Sequence, residues 1–214
     1  MSGPFAGRSP IYAGAWAGRP NPAALPDGAG MFVTDVGVNG GSDWRVASGV
    51  WRLANPTIIR WLEAPVTGLA QLAEQNLWQF SLPRSLIAAF RQYGLTAVVS
   101  KSGPNDAATS IYRIGTNGGV ALDTGILTIN WNTSDRARSW GHMRIFNTTL
   151  NRDENHTVAI AASEYQNSSG TAAYPTTPVN IASDVPVFYT WSCTMSSTLG
   201  PDTLTLQRAK LEAW

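Results

Sequence analysis

The two histidines and the scattered carboxylates are the side chains of this sequence with the widest scope for chemistry. His142 and His156 could form a metal pair or supply a catalytic base, but neither has a cysteine or carboxylate at ligand spacing. We therefore expect both to be ordinary side chains of β-strands. In RDENH, residues 152–156, two acids precede His156, so a Ca²⁺ or Zn²⁺ site there is the alternative to a solvated turn. Adjacent loop residues rarely converge on an ion without distant ligands. We expect no metal and no cofactor.

Catalytic motifs are absent from the sequence. It contains no G-x-S-x-G elbow, no P-loop and no dinucleotide-binding fingerprint, and Gly118-Gly119 is predicted to form a hairpin turn. Carboxylate pairs for glycoside hydrolysis need not be close in sequence, so that chemistry stays open. The candidates would be Asp123, Asp135, Asp153 and Glu164, each more typical of a loop residue. We predict that the protein is not an enzyme.

Low charge and many tryptophans are the main compositional signals. Charged residues make up 14% of the 214 residues and the formal net charge is +1, which gives no electrostatic basis for binding nucleic acid. No apolar run is long enough for a membrane span, and no export signal is visible. The single cysteine, Cys193, excludes an intrachain disulfide. A weakly charged surface is typical of β-rich proteins that are covered by partners or act outside cells.

The elements that would position these side chains are mainly strands. In VPVFYTWSCTM, every second residue from Val187 to Met195 is apolar or aromatic, which predicts a half-buried strand. In TLTLQRAKLEAW the alternation changes phase, which predicts a β-bulge near Gln207 and Arg208. Short alternating strands joined by polar loops predict an all-β fold, an antiparallel β-sandwich of the jelly-roll type. We predict eight strands near residues 77–82, 93–101, 109–114, 126–132, 138–149, 156–163, 185–195 and 202–213.

Residues 56–92 are the only region that tolerates helix. TGLAQLAEQNLW places Leu69, Leu72 and Ala73 at helical spacing, and LPRSLIAAFRQYG offers Ser85 as an N-cap and Gly94 as a stop. One or two helical turns are expected here.

The N-terminal quarter is predicted to contact other molecules. Residues 1–29 carry prolines at 4, 10, 20, 22 and 26, which favour an extended docking arm, although the arm could equally fold back over its own domain. Residues 30–56 are predicted to form a β-hairpin adaptor around Asn39, Gly40 and Gly41, with a second turn signal at Ser48-Gly49, followed by a sandwich domain over 57–214. An isolated two-stranded ribbon cannot bury its own tryptophans. The hairpin must therefore pack against a neighbour, either the following domain or a copy of itself. We expect the tryptophans outside the sandwich to contact a partner or another copy of the chain, whereas Trp131 and Trp191 fill the core.

Two groups of residues follow as candidate sites. The candidate docking or oligomer interface consists of Phe5, Tyr12, Trp16, Phe32, Trp44, Trp51, Arg52 and Trp61. The candidate surface recognition loops, which can equally be ordinary variable loops, contain Asn105, Asp106, Asn132, Asp135, Arg136, Tyr165, Asn167 and Tyr174.

The segment RPNPAALPDGAGMFVTDVGVNGGSDWRVASGVWRLAN resembles the small adaptor hairpin of tailed-bacteriophage fibre and virion appendage proteins. The matching residues are Phe32, Val33, Thr34, Asp35, Gly37, Trp44, Ser48, Gly49, Trp51 and Arg52. Downstream, Leu82, Pro83, Leu86 and Gly94, the IYRIGTNGG hairpin and the RIFN strand resemble the jelly-roll domains that follow such hairpins. LIAAFRQYG departs from that pattern, where a tighter glycine-rich turn is common.

This resemblance implies a structural component of a virion. It implies a homotrimer that attaches to a phage capsid, baseplate or tail protein, and that decorates the particle or binds a host surface glycan or protein. Two alternatives remain: a monomeric carbohydrate-binding β-sandwich module and a polysaccharide depolymerase.

Overall fold

The structure, a computed structural model, describes residues 11–38, 40–69, 72–87, 89–90, 93–103, 106–119, 123–131, 140–150, 155–166, 171–173, 178–180, 186–196 and 202–214. Between residues 140 and 180 the description is of the backbone. The described residues form one helical turn, α1 (Arg84–Ile87), and two 3-10 turns, Trp16–Gly18 and Pro22–Ala24. No helix among them is long and apolar enough to cross a membrane. The strands are β1 (Ile11–Gly14), β2 (Gly30–Val33), β3 (Ser42–Ala47), β4 (Val50–Leu53), β5 (Thr57–Trp61), β6 (Val66–Gly68), β7 (Gln75–Pro83), β8 (Tyr93–Ser102), β9 (Ala108–Gly115), β10 (Thr124–Trp131), β11 (Trp140–Leu150), β12 (Asn155–Gln166), β13 (Thr171–Ala173), β14 (Pro178–Asn180), β15 (Pro186–Met195) and β16 (Thr203–Ala213).

The N-terminal residues form a small four-stranded sheet with the order β1-β2-β3-β4. β1 pairs with β2 in parallel, and β2, β3 and β4 form an antiparallel meander. The two-residue hairpin turn lies at Ser48 and Gly49, whose φ angles of 53° and 71° are those of a type I′ turn. A longer segment, residues 34–41, joins β2 to β3. The antiparallel pairing of β2 with β3 confirms the predicted hairpin, although its connection is longer than a tight turn. Part of the predicted docking arm is a strand of this sheet.

The remaining described strands form three antiparallel sheets, one of which, β11-β12-β14, lies beside β8 through β11 and so extends the first of two layers. In one layer β5 and β6 both pair with one edge of β16, β8 pairs with its other edge, and β11 lies beside β8. The other layer has the order β13-β10-β9-β15-β7. From β6 to β9, and again from β15 to β16, successive strands alternate between the layers, whereas β9 pairs with β10 and β11 pairs with β12 within one layer. This alternation is the jelly-roll arrangement, so the predicted all-β sandwich is confirmed.

Period-two alternation located the strands of the sandwich well. All eight predicted strands are present as β7 to β12, β15 and β16, with bounds that differ by a few residues at most. The predicted bulge is confirmed, because the pairing of β16 with β8 shifts register between Leu206 and Arg208. Leu204 and Leu206 before the bulge and Ala209 and Leu211 after it are all buried. The extra residue therefore lets both phases of the sequence face the core.

Two expectations for residues 56–92 are wrong. The described residues of TGLAQLAEQNLW form no helix: the first belong to β6 and the last to β7, because pairing with β16 and β15 outweighs a weak helical pattern. The single turn α1 matches the expected length, but it begins at Arg84. Ser85 does not cap it, and its hydroxyl instead accepts a hydrogen bond from Trp16 Nε1 (3.1 Å).

The central strand β15 is more deeply buried than its pattern predicts. Its apolar face is buried from Val187 to Met195, as expected. Thr190 and Ser192 on the opposite face are also fully buried, so the half-buried interpretation is wrong for the middle of the strand. Both side chains are satisfied by hydrogen bonds to residues that cover this face, Thr190 by Gln79 and Ser192 by Glu74.

A chain of aromatic rings joins the small sheet to the sandwich. Trp16 contacts Trp44 with ring centroids 4.7 Å apart, and Trp44 stacks on Phe90 at 5.9 Å. Phe90 in turn contacts Tyr93, and Tyr93 contacts Tyr189, with ring centroids 6.4 and 6.1 Å apart. The small sheet and the sandwich therefore share one hydrophobic core.

Candidate functional site

Three tryptophans predicted at an interface belong instead to the core of the chain itself. Trp16, Trp44 and Trp51 are almost completely buried. Trp44 Nε1 donates to Ser42 Oγ (2.8 Å) and Trp51 Nε1 donates to the carbonyl of Pro20 (2.9 Å). The premise that no core of this chain could hold them is wrong, because Phe90 and its neighbours supply the covering surface. Side chains this buried leave no area for a partner.

The other predicted interface residues have mixed environments. Phe32 and Trp61 are exposed, and 56% of the Trp61 surface is accessible. Tyr12 and Arg52 are half-buried, and Phe5 lies outside the described residues. Trp61 is therefore the strongest interface candidate that remains from the sequence prediction.

The exposed large apolar side chains of the described residues lie in two places. Phe32 lies in β2 and Val38 lies in the segment that joins β2 to β3, and this segment packs on β5, since Val38 N–H donates to the carbonyl of Ile58 (2.9 Å). Trp61 ends the same strand, about 10 Å further along it at the usual rise of a strand. The second place is the loop after β6, where Leu69 and Leu72 are exposed. We call the first group, Phe32, Val38 and Trp61, the β5 patch.

The backbone edge beside the β5 patch is partly closed. The Ile58 carbonyl is used by Val38, and Ile59 is skipped in the register with β16, which marks a bulge. Arg60 Nη1 donates to the carbonyl of Ile59 (2.8 Å). Bulges and covering loops obstruct strand addition. A partner at this patch would therefore contact side chains, Trp61 above all, rather than extend the sheet.

The loop after β6 is held firmly at its far end. Gln75 Nε2 donates to the carbonyl of Leu69 and its Oε1 accepts from the backbone N–H of Leu69, at 2.7 and 2.9 Å. Glu74 forms a bidentate pair with Arg113, with both N···O distances 2.9 Å, and accepts a hydrogen bond from Ser192. Leu69 and Leu72 thus project from a loop whose end is fixed, and they provide a second, smaller apolar surface.

Most of the predicted recognition residues lie outside the described part of the chain, and the other two do not lie on surface loops as predicted. Asp106 is buried rather than on a loop surface. Tyr165 lies within β12, with its backbone opposite Gly141, so its assignment to a loop is wrong. The long antiparallel pairing of β11 with β12 explains why this region is strand. The residues outside the described part of the chain are Asn105, Asn132, Asp135, Arg136, Asn167 and Tyr174.

Of the side chains considered for catalysis and metal binding, the structure describes that of Asp123. The Asp123 carboxylate accepts hydrogen bonds from the backbone N–H groups of Asn117 and Gly118 and so stabilises the connection between β9 and β10. Both histidines lie in strands, as predicted: His142 is opposite Glu164, and His156 is opposite Leu150. Asp135 and Asp153 lie outside the described residues. Among the described residues no group of three or more histidine, cysteine or acidic side chains could hold a metal ion.

Sequence reasoning missed a buried charged cluster at the ends of β8 and β16. Lys101 and Asp202 are 1% and 0% exposed, with Nζ and Oδ2 3.4 Å apart. Asp106, which is 5% exposed, donates its backbone N–H to the same Oδ2 (2.7 Å). A signal was present, because Lys101 continues the inward alternation of Leu95, Ala97 and Val99. Asp202 likewise precedes Leu204 and Leu206 in the inward phase of β16.

Comparisons with known proteins give little for this chain. No protein-family model matches the sequence, and no curated protein matches it. Among solved structures, a structure of infectious bursal disease virus, Gx strain, aligns with a TM-score of 0.27 and 9% sequence identity, over 80% of this chain and 42% of that chain. The chain thus spans less than half the length of that viral protein. A likeness with so low a TM-score carries no argument, and the fold assignment rests on the strand topology.

Proposed function

We propose that this chain is a non-enzymatic structural component of a bacteriophage virion. In this proposal it self-associates as a homotrimer, its N-terminal residues attach it to a capsid, baseplate or tail protein, and its jelly-roll domain is displayed outward. Whether it forms a fibre, decorates the head or binds a host receptor depends on the partner that its N-terminal residues recognise.

The observation that carries this proposal is the β5 patch. Tryptophan is enriched at the energetic centres of protein interfaces, and exposed apolar clusters on otherwise polar surfaces mark interaction sites. Trp61 is more than half exposed in a chain with few charged residues, and charge is depleted at the centres of interfaces. A patch that meets copies of itself around a symmetry axis would cover Trp61 without any other protein.

The resemblance of residues 19–55 to phage adaptor hairpins supports the same proposal, with one change. The matching tryptophans, Trp44 and Trp51, are buried in the core that the small sheet shares with the sandwich. The segment that can attach the chain to another virion protein is therefore shorter than the resemblance implies. The proposal assigns attachment to residues 1–10, which precede β1 and include Phe5. β1, the strand that follows them in the sequence, is an edge strand of the small sheet.

The test is the solution mass of the purified full-length chain, measured by light scattering across a size-exclusion peak. We expect a trimer, and we expect Trp61→Ser to shift the chain to monomer at the same concentration. Leu72→Ser is the matched control: it removes an equally exposed apolar side chain away from the β5 patch and should leave the trimer intact. A wild-type monomer at high micromolar concentration would contradict the proposal. Deleting residues 1–55 is unsuitable as a test, since it would uncover Phe90 and the core beneath the small sheet.

A second candidate, a monomeric carbohydrate-binding module, is favoured by the neighbours of Trp61. Lys210 lies opposite Trp61 in the sheet and pairs with Glu212 (Nζ–Oε2 3.0 Å), so charged hydrogen-bonding groups stand beside an exposed aromatic ring. This combination suits stacking and hydrogen bonding to a sugar. A monomer that binds a glycan and loses binding in Trp61→Ser would establish this function instead. Cleavage of the glycan would establish a depolymerase.

A further inference from the structure

The cluster formed by Lys101, Asp106 and Asp202 has the parts needed for a covalent reaction. Lys101 supplies an amine, and Asp202 supplies a carboxyl group whose Oδ2 is 3.4 Å from Nζ. Asp106 supplies a second buried carboxyl group, and its Oδ2 has no hydrogen-bond partner among the described residues. An unsatisfied, buried carboxylate oxygen is costly, so its presence in a residue that contacts this ion pair through its backbone needs an explanation.

The amine is held near the carboxyl group by more than charge. Lys101 Nζ donates to the carbonyl of Gly103 at 2.6 Å, whereas its distance to Asp202 Oδ2 exceeds the usual 2.7–2.9 Å of a charge-assisted hydrogen bond. Gly103 has a φ of 79°, and any Cβ there would collide with the Asp202 carboxylate, so the turn allows close approach only because it is glycine. The backbone therefore fixes the amine beside the carboxyl group.

The carboxyl group is also polarised. The backbone N–H of Asp106 donates to Asp202 Oδ2 at 2.7 Å. A fixed N–H at a carboxyl oxygen stabilises the negative charge that develops there when a nucleophile adds to the carbon. The Asp106 carboxyl group belongs to the same residue as this N–H, and its buried Oδ2 has no hydrogen-bond partner among the described residues, so it is the proton acceptor that we assign to the cluster.

We propose that Lys101 and Asp202 condense to form an intramolecular amide bond, an isopeptide bond that joins the end of β8 to the residue before β16. The reactants are the uncharged amine and the uncharged acid, which the ion pair yields by transfer of one proton. Nζ attacks Cγ of Asp202, an N–C bond forms, one C–O bond breaks, and water leaves. The proton released by the nitrogen passes through the Asp106 carboxyl group to the departing oxygen. Atoms and charge balance, and no oxidant, metal or cofactor is required.

Burial favours this reaction over a lasting ion pair. An ion pair in the interior must be held without the hydration that each charge had in water, and condensation removes both charges at once. The chain contains an internal comparison, since its only other lysine, Lys210, pairs with Glu212 at the shorter distance of 3.0 Å but is 40% exposed. That hydrated pair should not condense.

The experiment is the intact mass of the purified full-length chain. We expect it to be lighter than the sequence mass by one molecule of water, whereas Lys101→Met, in which the amine is absent, should have its full sequence mass. Lys210→Arg, the matched control at the exposed pair, should still lose one water. Because all three proteins share the same N-terminus, processing there cannot imitate the difference.

Two further measurements locate the bond and test Asp106. In denaturant, an amine-reactive reagent should label Lys210 but not Lys101, and proteolysis should release one branched peptide containing Lys101 and Asp202. Asp106→Asn should slow or abolish the water loss, and its circular dichroism will show whether it folds. Wild-type protein at its full sequence mass, with Lys101 labelled in denaturant, would overturn the proposal. A folded Asp106→Asn chain that loses water as completely as the wild type would overturn the role given to Asp106.

Discussion

Substitution of Trp44 would interrupt the row of aromatic rings that joins the small sheet to the sandwich. The resulting loss in the free energy of unfolding can be worked out from the surroundings of Trp44. Trp44 is 1% exposed, and its ring lies between Trp16 and Phe90, with which its centroid distances are 4.7 and 5.9 Å. Truncation of a buried tryptophan to alanine costs about 3–5 kcal/mol, more where the site cannot collapse. The neighbouring rings are themselves packed in the core, which places Trp44→Ala near the upper end of that range.

The hydrogen bond of Trp44 can be separated from its packing. Trp44 Nε1 donates to Ser42 Oγ, which is also buried, so its loss leaves a buried hydroxyl without this partner, at a cost of about 1–3 kcal/mol. Trp44→Phe retains most of the ring contacts and should cost only about this amount. Trp61→Ala, at the exposed end of β5, should change the free energy of unfolding by no more than about 0.5 kcal/mol.

Urea unfolding followed by near-ultraviolet circular dichroism and tryptophan fluorescence measures these differences. With a denaturant slope of about 2 kcal/mol/M, Trp44→Ala should lower the midpoint by roughly 1.5–2.5 M. If Trp44→Ala costs less than about 1 kcal/mol, or if the wild type unfolds in two steps with the small sheet first, the shared core is refuted. The division into arm, adaptor and sandwich domain, which stays a prediction, would then gain support.

Three further expectations follow from the core. Burial, with a smaller contribution from Glu74, raises the pKa of Cys193 from 9.0 to about 11, and burial raises the pKa of Tyr93 from 10.0 to about 12. The folded state holds these protons more tightly than the unfolded state does. The resulting stabilisation is complete below the unfolded pKa values and is lost as pH rises through about 9 to 12. Urea midpoints should therefore fall between about pH 8 and pH 11. The same burial should make a thiol reagent react with Cys193 only as fast as the chain opens, and reaction at the rate of a free thiol in native buffer would contradict this. A Cβ at Gly68 would collide with Cys193 Sγ, so Gly68→Ala should lower the free energy of unfolding in urea by about 1–3 kcal/mol. Adding Cys193→Ala should recover part of that loss, whereas additive losses in the double variant would refute the collision.

The sandwich could be predicted from the sequence because its signal is local. The period-two alternation of β15 and the phase change in β16 are properties of ten or so consecutive residues, and each dictates which face is buried. β5 and β6 have only five and three residues, so no such pattern can develop. They are strands because β16 provides an edge for them, and pairing of this kind is decided by tertiary context.

The candidate site was harder to predict because its determinants are distant in sequence. Trp44 was assigned to an interface since residues 30–56 cannot bury it alone, but Phe90 covers it from 46 positions further along the chain. Lys101 and Asp202 are 101 positions apart. Their alternation places each inward, yet only the pairing of β8 with β16 brings them together. Trp61, which was also predicted at an interface, is exposed because it ends β5 and no distant part of the described chain covers it, and its place in an interface stays a prediction.

The central position of β16 has a consequence for synthesis of the chain. β5, β6 and β8 are made first, but each forms its sheet pairing with β16, which is the last strand of this sequence to leave the ribosome. Until then these strands have unpaired edges next to apolar faces, a state that favours aggregation. Contacts over such long separations also form slowly. We therefore expect the jelly roll to fold only after residue 213 has emerged, and to benefit from a chaperone that shields β8 in the interval.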